Sequence, residues 1–249
     1  MRELALLAGA GLLAGSMNAV AGGGSFVSFP AMIAAGLPSV AANVSSTVAL
    51  FPGTLASTWA YRRGFVQPTA LPMRAMLPIT LAGGLLGAVL LLATPARLFD
   101  SAIPFLLLLA TVIFALGARA GLLLGRLVHL GPGAVLPLQF VIAVYGGYFG
   151  GAVGLMMMAM WSLLTANPDL KAMAPARMLL VSAANGAAIA WFIGTGAVRW
   201  PETLAMLTGS IAGGYLGARL TQFLPPHAVR GFVIALSATV TALFFLRAF

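Results

Sequence analysis

The chain has 249 residues, of which 61% are hydrophobic and only 7% are charged, and its mean hydropathy is +1.05. Soluble domains carry about a quarter charged residues, so this composition excludes an ordinary soluble domain and predicts a polytopic membrane protein. The net charge is +9, but the basic residues fall at the ends of apolar runs and form no stripe that could follow a phosphate backbone. Nucleic acid is therefore excluded as a partner.

Ten apolar runs follow one another along the chain, five in each half. They cover approximately residues 4–21, 25–36, 40–61, 71–93 and 98–118, then 134–146, 150–165, 172–194, 200–223 and 228–246. The last three runs of each half have the roughly 20 residues that span a bilayer. The opening pair of each half is divided by a glycine cluster and includes a run too short to cross, which predicts a broken or re-entrant helix hairpin.

An internal repeat relates the two halves. The segment Ala-Gly-Gly-Leu-Leu-Gly-Ala at 82–88 returns as Ala-Gly-Gly-Tyr-Leu-Gly-Ala at 212–218. The chain is therefore predicted to be a single transmembrane domain, 1–249, with repeat one at 1–120, a linker at 121–132 and repeat two at 133–249. Such internal repeats are typical of secondary transporters, whose substrate site lies between the halves.

The positions of the basic residues predict how the chain crosses the membrane. If both opening pairs turn back, nine of the thirteen basic residues lie on one face and four on the other, whereas single crossings give eight and five. The more polarised arrangement favours hairpins, with both termini outside the cytoplasm. Each half then crosses three times, so the fold class is all-α with two inverted repeats, each a broken or re-entrant hairpin plus three transmembrane helices. We expect this integral membrane protein in a bacterial-type inner membrane.

Glycines 22–24 mark the first candidate site. Three consecutive glycines in apolar sequence release backbone amides from the helix, which a membrane tolerates only beside a cavity or ligand. The helix restarting near Ser25 would add its positive N-terminal end, and Asn18 would add a side-chain donor, so Asn18, Gly22, Gly23, Gly24 and Ser25 are predicted to bind an anion. Close helix packing is the alternative. On the binding hypothesis Gly23→Val should block transport, whereas Gly83→Ala, in the packing repeat, should be milder.

The second half carries a related glycine segment at 146–154. When Gly15 is aligned with Gly146, Gly23 falls on Gly154, and this segment supplies Tyr148, Gly150, Gly151 and Gly154 as candidates. The tyrosine could instead be an interfacial anchor.

Polar residues at the start of the next helix of each half complete the candidate set. They are Asn43, Ser46 and Thr47 in the first half, and Arg177 and Asn185 in the second. Hydroxyls in this region, Thr54 and Thr58 among them, more commonly bond to the preceding helical turn or join helices. An arginine in this position is also more often interfacial, with its side chain extended to the headgroups.

Several other chemistries are disfavoured. Glu3, Asp100, Asp169 and Glu202 all lie at run ends, so no carboxylate is predicted at mid-membrane for a proton relay or cation site. The chain has no cysteine and only two distant histidines, which predicts no metal site and no cofactor. The methionines at 156–158 and 160 could ligate copper(I), but flexible packing is their more usual role. No serine, histidine and carboxylate converge, so we predict that the protein is not an enzyme.

At these residues the chain resembles the TauE/SafE family of membrane transporters, the sulfite exporter family. The matching pieces are 15–25 with Pro30, 42–47, 61–64, 146–154 and the two Ala-Gly-Gly-x-Leu-Gly-Ala copies. The resemblance implies export or exchange of sulfur-containing anions such as sulfite or organosulfonates. The expected partners are a small anionic substrate and the lipid bilayer, with a homo-oligomer as a further option. A passive anion channel and a non-transporting membrane assembly subunit are the alternative functions.

Overall fold

The fold is described from a computed structural model, which describes residues 2–21, 23–61, 71–124, 132–164, 173–220 and 226–248. Within these ranges all regular structure is helical, with ten α-helices and a short 3₁₀ turn at Pro132–Ala134. The helices are α1 (Arg2–Ala21), α2 (Ser25–Ala34), α3 (Ser39–Tyr61), α4 (Met73–Ala93), α5 (Ala96–Leu124), α6 (Val135–Tyr148), α7 (Val153–Leu164), α8 (Ala174–Gly194), α9 (Trp200–Leu220) and α10 (Pro226–Ala248).

These helices correspond one to one with the ten predicted apolar runs, so the all-helical prediction is confirmed for the described residues. Among the described residues, three segments are long and apolar enough to cross a membrane: Met73–Ala93, Ala96–Leu116 and Pro175–Gly194. Helices α1 and α9 are of similar length, at 20 and 21 residues. Their glycines and serines lower their hydropathy, and these small residues instead serve helix packing.

The chain turns back after the first helix of each half. A Cβ atom built on Gly24 would lie 2.5 Å from the carbonyl oxygen of Ala14, so the chain returns beside α1 after leaving it. In the second half, Gln139 Nε2 of α6 lies 3.8 Å from Met157 Sδ of α7. In one continuous helix these two residues would be about 27 Å apart, at about 1.5 Å per residue. The pairs α1–α2 and α6–α7 are therefore both folded back, as the glycine clusters predict.

Glycines bring α4 and α6 into backbone contact. A Cβ on Gly87 would collide with the carbonyl oxygen of Val144 and lie 2.7 Å from the amide nitrogen of Tyr148. One on Gly83 would lie 2.7 Å from the Cβ of Ala143. Because lipid tails are as apolar as leucine, helices in a membrane associate through such close packing rather than through hydrophobic burial.

The second copy of the motif packs α9 against α1 in the same manner. A Cβ on Gly213 would collide with the carbonyl oxygen of Leu12, and one on Gly217 would lie 2.6 Å from the Cα of Ser16. Ser16 Oγ also donates a hydrogen bond of 2.9 Å to the carbonyl oxygen of Gly213. The register that aligns Gly15 with Gly146 places Leu12 on Ala143, so the two copies of the motif contact equivalent positions of the opposite half.

Helices α3 and α8 cross at the centre of the molecule and run antiparallel. Thr58 Oγ1 lies 2.7 Å from Ser182 Oγ. Phe51, earlier in α3, lies beside Gly186, later in α8. The two helices hold equivalent places in the two halves.

Helices α5 and α10, the last of each half, are also antiparallel. Thr111 Oγ1 is 3.0 Å from Thr241 Oγ1, while Phe105 packs edge-on to Phe245 with ring centroids 5.3 Å apart. The sequence numbers of the contacting residues thus rise in one helix as they fall in the other.

Aromatic side chains join the two hairpins. Phe29 of α2 packs against Phe149, which follows α6, at a centroid distance of 5.9 Å, and stacks on Phe244 of α10 at 5.8 Å. Phe29 and Phe149 are almost completely buried. This contact fixes the turn of one hairpin beside the turn of the other, and both turns border the cavity described next.

Candidate functional site

A cavity of about 280 Å³ lies between the two hairpin turns and helices α3 and α8. Its walls come from both halves of the chain. The lining residues are Asn18, Ala19, Ser25, Thr47, Leu50, Phe51, Thr54, Gly150, Ala152, Val153, Gly154, Leu155, Arg177, Met178, Val181 and Asn185.

Two helices begin at the cavity wall. Ser25 is the first residue of α2, and Val153 and Gly154 are the first two residues of α7. The first amides of a helix form its positive end. In α2 the amides of Phe26 and Val27 donate to the carbonyl oxygens of Gly23 and Gly24, and in α7 the amide of Leu155 donates to that of Ala152, so the helix dipole is the main contribution of these ends. Both hairpins therefore present helix N-termini to one space, an arrangement that favours an anion.

The turn before α7 has an unusual backbone. Gly150 has φ +81° and Ala152 has φ +59°, and an alanine in this left-handed region is uncommon. Both residues line the cavity. The turn brings α7 back beside α6 within four residues, which accounts for the glycines that precede it.

Arg177 is the only charged side chain among the described lining residues. The stem of its side chain packs over Gly154, where a Cβ atom would lie 3.2 Å from Arg177 Cδ. Gly154 is the second residue of α7, next to the hairpin turn, so the arginine stem extends toward the interior end of α7. The sequence analysis favoured an interfacial arginine whose side chain extends outward to the headgroups, and the packing on Gly154 gives the opposite direction.

Uncharged polar side chains form another part of the wall. Asn18 Nδ2 lies 3.5 Å from Thr54 Oγ1, which joins α1 to α3. Asn185 of α8 lines the same cavity, and its Oδ1 atom is buried without a hydrogen-bond partner among the described residues. These groups supply neutral hydrogen-bonding atoms in addition to the helix amides.

The structure brings together seven of the residues that the sequence predicted for the site. They are Asn18, Ser25, Thr47, Gly150, Gly154, Arg177 and Asn185. Gly22 lies outside the described residues. The other six are not among the lining residues: Gly23, Gly24, Asn43, Ser46, Tyr148 and Gly151.

The two described glycines of the triplet are packed against other helices. A Cβ on Gly23 would lie 2.8 Å from Val233 Cγ1 of α10, and one on Gly24 would lie 2.9 Å from the Cβ of Asn18. Gly24 thus allows the close approach that brings Asn18 to the cavity. In this structure the described part of the triplet serves packing, the alternative left open above.

Asn43 and Tyr148 lock the hairpin turn of the second half to α3. Asn43 Nδ2 donates a hydrogen bond of 2.9 Å to the carbonyl oxygen of Tyr148. The Tyr148 ring packs edge-on to Phe99, and its hydroxyl lies 3.3 Å from Thr94 Oγ1. Ser46 donates to the carbonyl oxygen of Asn43. These polar groups therefore stabilise the elements that form the cavity wall and do not line the cavity themselves.

We expect Asn43→Ala to lower the free energy of unfolding by about 1–3 kcal/mol, because the Tyr148 carbonyl would lose its buried donor. Thermal unfolding in detergent measures this loss. Ser101→Ala is the matched control, since Ser101 is exposed and bonds only within its own helix. Equal stability of the two variants would contradict the proposed lock.

Part of the wall was not predicted from the sequence, although the internal repeat identifies it. The register that aligns Gly15 with Gly146 pairs four lining residues of one half with four of the other: Ala19 with Gly150, Thr47 with Met178, Leu50 with Val181, and Thr54 with Asn185. Equivalent positions of the two halves therefore line the cavity. Arg177 falls on Ser46 in this register, so the charge occurs on one side only.

The cavity extends toward one end of the helix bundle. Arg177 lies in the first turn of α8, whereas Thr47 lies near the middle of α3. Because α8 begins where the antiparallel α3 ends, the cavity runs from that end to the middle of the molecule. Beyond Thr47, the Asn43–Tyr148 hydrogen bond and the Phe29–Phe149 contact fill the space.

Comparison with known proteins identifies the group to which this chain is related. The family model described as "Sulfite exporter TauE/SafE" matches residues 7–244. "Probable membrane transporter protein ORF9" of Sinorhizobium sp is 32% identical over 219 residues, which cover 87% of this chain and 82% of that protein. A "Probable membrane transporter protein" of Haemophilus influenzae is 28% identical over 253 residues, covering 96% and 93%. No solved structure matches the chain.

Proposed function

Because the chain belongs to the TauE/SafE family of sulfite exporters, we propose that it is a secondary transporter that exports small sulfur-containing anions, such as sulfite or organosulfonates, across the bacterial inner membrane. The family is one of integral membrane transporters, and the resemblance stated from the sequence motifs is confirmed. The substrate, the direction of transport and the mechanism belong to the proposal.

The polar groups that line the cavity support an anionic substrate. They are the N-termini of α2 and α7, the guanidinium of Arg177, and the amide and hydroxyl side chains of Asn18, Ser25, Thr47, Thr54 and Asn185. No Asp or Glu occurs among the described lining residues. Such a site has positive potential and hydrogen-bond donors, and it lacks the carboxylates that would replace the hydration shell of a cation.

We propose that the two halves are inverted repeats and that the substrate moves by alternating access. Three observations support this: the equivalent glycine contacts of α4 with α6 and of α9 with α1, the antiparallel arrangement of α3 with α8 and of α5 with α10, and the paired lining residues. An inverted repeat can rock about a central site and expose it to each side in turn. The cavity extends to the end of the bundle where α8 begins, and side chains pack at its other end. Alternating access requires a state of this kind, in which the site is accessible from one side only.

The orientation follows from the basic residues. Nine of the thirteen, Arg177 of the cavity among them, lie in the helix ends and connecting segments on the side where α8 begins, the end toward which the cavity extends. Basic loops stay in the cytoplasm, so we propose that the cavity faces the cytoplasm in this structure. An exporter would take up its substrate in this state.

We predict that reporters fused after Phe249 will show a non-cytoplasmic C-terminus, because α10 ends opposite the basic loops. A reporter pair that is active on opposite sides of the membrane measures this. A fusion within residues 62–70, which contain Arg62 and Arg63 and connect α3 to α4 in sequence, is the internal control and should report the cytoplasm. A cytoplasmic C-terminus together with a cytoplasmic 62–70 fusion would contradict the hairpin topology and the inverted repeat, whereas reversal of both reporters would contradict the orientation alone.

Flux measurements with purified protein in proteoliposomes test the function. Sulfite uptake should saturate, and thiosulfate and organosulfonates should compete with it, whereas alkali cations and neutral amines should not. Non-saturating electrogenic flux would indicate a passive anion channel. Absence of any flux from correctly folded, oriented protein would favour a membrane assembly subunit.

A further inference from the structure

The two copies of the glycine motif have different surroundings at one position. In the first copy, Gly84 of α4 is buried against α8, where a Cβ atom would collide with the carbonyl oxygen of Ala184 and lie 2.7 Å from its Cα. Its counterpart in the second copy, Gly214 of α9, is only half-buried, and a Cβ atom there would meet no other helix within 4 Å among the described residues. One copy therefore makes a backbone contact that the other lacks.

The relation between the halves identifies the residue that Gly214 would contact. In the register of the paired lining residues, Ala184 of α8 falls on Gly53 of α3. Gly53 and Gly214, here called the open pair, are thus the counterpart of Ala184 and Gly84, the closed pair. Both members of the open pair are glycine, although glycine is the poorest helix former after proline. A close contact between α3 and α9 in another state would account for both glycines.

Helices α3 and α9 are parallel and in contact up to the turn before the open pair. The amide of Arg199, just before α9, donates a hydrogen bond of 3.1 Å to Ser45 Oγ of α3. Further along both helices, Ser210 Oγ donates one of 2.6 Å to the carbonyl oxygen of Ala49. The open pair follows Ala49 and Ser210 by four residues and so lies on the same helix faces. The two helices therefore diverge within one turn.

We propose that the two pairs exchange during transport, so that in the opposite access state Gly214 packs against Gly53 while Gly84 separates from Ala184. This inference rests on the proposed alternating access, which does not itself specify which helix contacts change. In an inverted repeat the second state is reached when the two halves exchange conformations. A backbone contact that is present in one half and absent from the other is then one that breaks while its counterpart forms.

A valine at position 214 tests the exchange. Gly214→Val should leave the present state intact, because its Cβ atom meets no other helix here. It should block the opposite state, where the geometry of the closed pair would place this atom against the backbone of α3. Gly9→Val is the matched control, since a Cβ atom on Gly9 of α1 also meets nothing within 4 Å among the described residues. The counterpart of Gly9 is Phe140, so the opposite state has room there for a large side chain.

A single cysteine in the cavity reports the access state. The chain has no cysteine of its own, and Val181→Cys places one at a lining position whose counterpart, Leu50, also lines the cavity. In oriented proteoliposomes, a membrane-impermeant maleimide should label this reporter from both faces. Gly214→Val should lower the labelling rate at least tenfold from the face opposite the start of α8, and not from the other face. Sulfite uptake by Gly214→Val without the reporter should fall at least tenfold, with unchanged thermal unfolding in detergent.

The outcomes separate the inference from the proposed function. Equal labelling and uptake in Gly214→Val and Gly9→Val, or a reporter labelled from one face only before either change, would overturn the inference. If Gly214→Val does not fold, Gly214→Ala replaces it, because a Cβ atom alone collides in the geometry of the closed pair. Absence of sulfite uptake by the wild type would overturn the proposed substrate. Two-sided labelling that Gly214→Val makes one-sided would still support the exchange.

Discussion

Replacing Arg177 by methionine should reduce substrate affinity in proteoliposome uptake by about ten- to hundredfold. Methionine keeps an unbranched stem that can pack over Gly154 but removes the positive charge. A hydrogen bond to a charged partner contributes about 1.5–3 kcal/mol, and the arginine offers several donors to an oxyanion. The measurement is the KM and the maximal rate of sulfite uptake, together with the inhibition constant of an organosulfonate that competes with it.

Arg177→Lys is the matched variant because it keeps the charge and loses the planar set of donors. We expect it to retain part of the affinity, since a lysine acts as a point charge near an anion. If Arg177→Met and the wild type have the same KM in protein of equal abundance, the guanidinium does not contact the substrate. The helix N-termini would then have to hold the anion alone.

Replacing Gly87 by valine should prevent stable folding. Its side chain would enter the backbone of α6, at the carbonyl oxygen of Val144 and 2.7 Å from the amide nitrogen of Tyr148. Backbone atoms cannot rotate away as a side chain can, so α4 and α6 would have to separate. We expect a loss of about 3 kcal/mol or more, at or above the usual cost of overpacking, seen as low yield and early thermal unfolding in detergent.

Gly214→Val is the control from the second copy of the same motif. A Cβ atom on Gly214 meets nothing within 4 Å, although its sequence context is nearly identical to that of Gly84. Because glycine is a poor helix former, valine there should leave stability unchanged or slightly higher. If the two variants were equally unstable, the cost would come from the helix itself and not from the α4–α6 contact.

Much of the helical framework could be predicted from the sequence alone. Hydropathy shows which segments a bilayer can hold as helices, and glycine clusters show where those helices are interrupted. The hairpins are an example, since no run of ten to fourteen residues can cross a bilayer as a helix. The packing role of the Ala-Gly-Gly-x-Leu-Gly-Ala motif is a second example. In both cases the physical constraint acts within a few residues of sequence.

The tolerance of individual glycines could not be predicted in this way. Gly83→Ala was expected to be milder than Gly23→Val, yet a Cβ on Gly83 would lie 2.7 Å from Ala143 Cβ and 2.8 Å from the Phe140 carbonyl oxygen. Gly23 faces a valine methyl group, which can shift. Which neighbour a glycine meets depends on a helix more than fifty residues away, and a local pattern carries no information about that neighbour.

The cavity walls show the same limit in a different form. Asn18 and Asn185 were predictable because a polar amide side chain is unusual within an apolar run. Leu50, Phe51 and Val181 could not be distinguished in this way from the many other apolar residues. Thr54 was interpreted as a residue that bonds to the preceding turn, and it does so, but it also faces the cavity. Comparison of the two halves would have found it, since it aligns with Asn185.

If the protein works by the proposed alternating access, the one arginine among the described lining residues affects the energetics of the transport cycle. In a strictly symmetric repeat, the two access states would be related by the pseudo-twofold axis and would bind the substrate equally well. Here Arg177 has Ser46 as its counterpart. The substrate would therefore meet an arginine when the site opens to one side and a serine when it opens to the other. Such a protein should have different half-saturation concentrations for the substrate on the two sides of the membrane. A difference in the populations of the two substrate-free access states would compensate for this. Divergence of one position after duplication would thus be enough to make a reversible carrier respond mainly to the substrate concentration on one side.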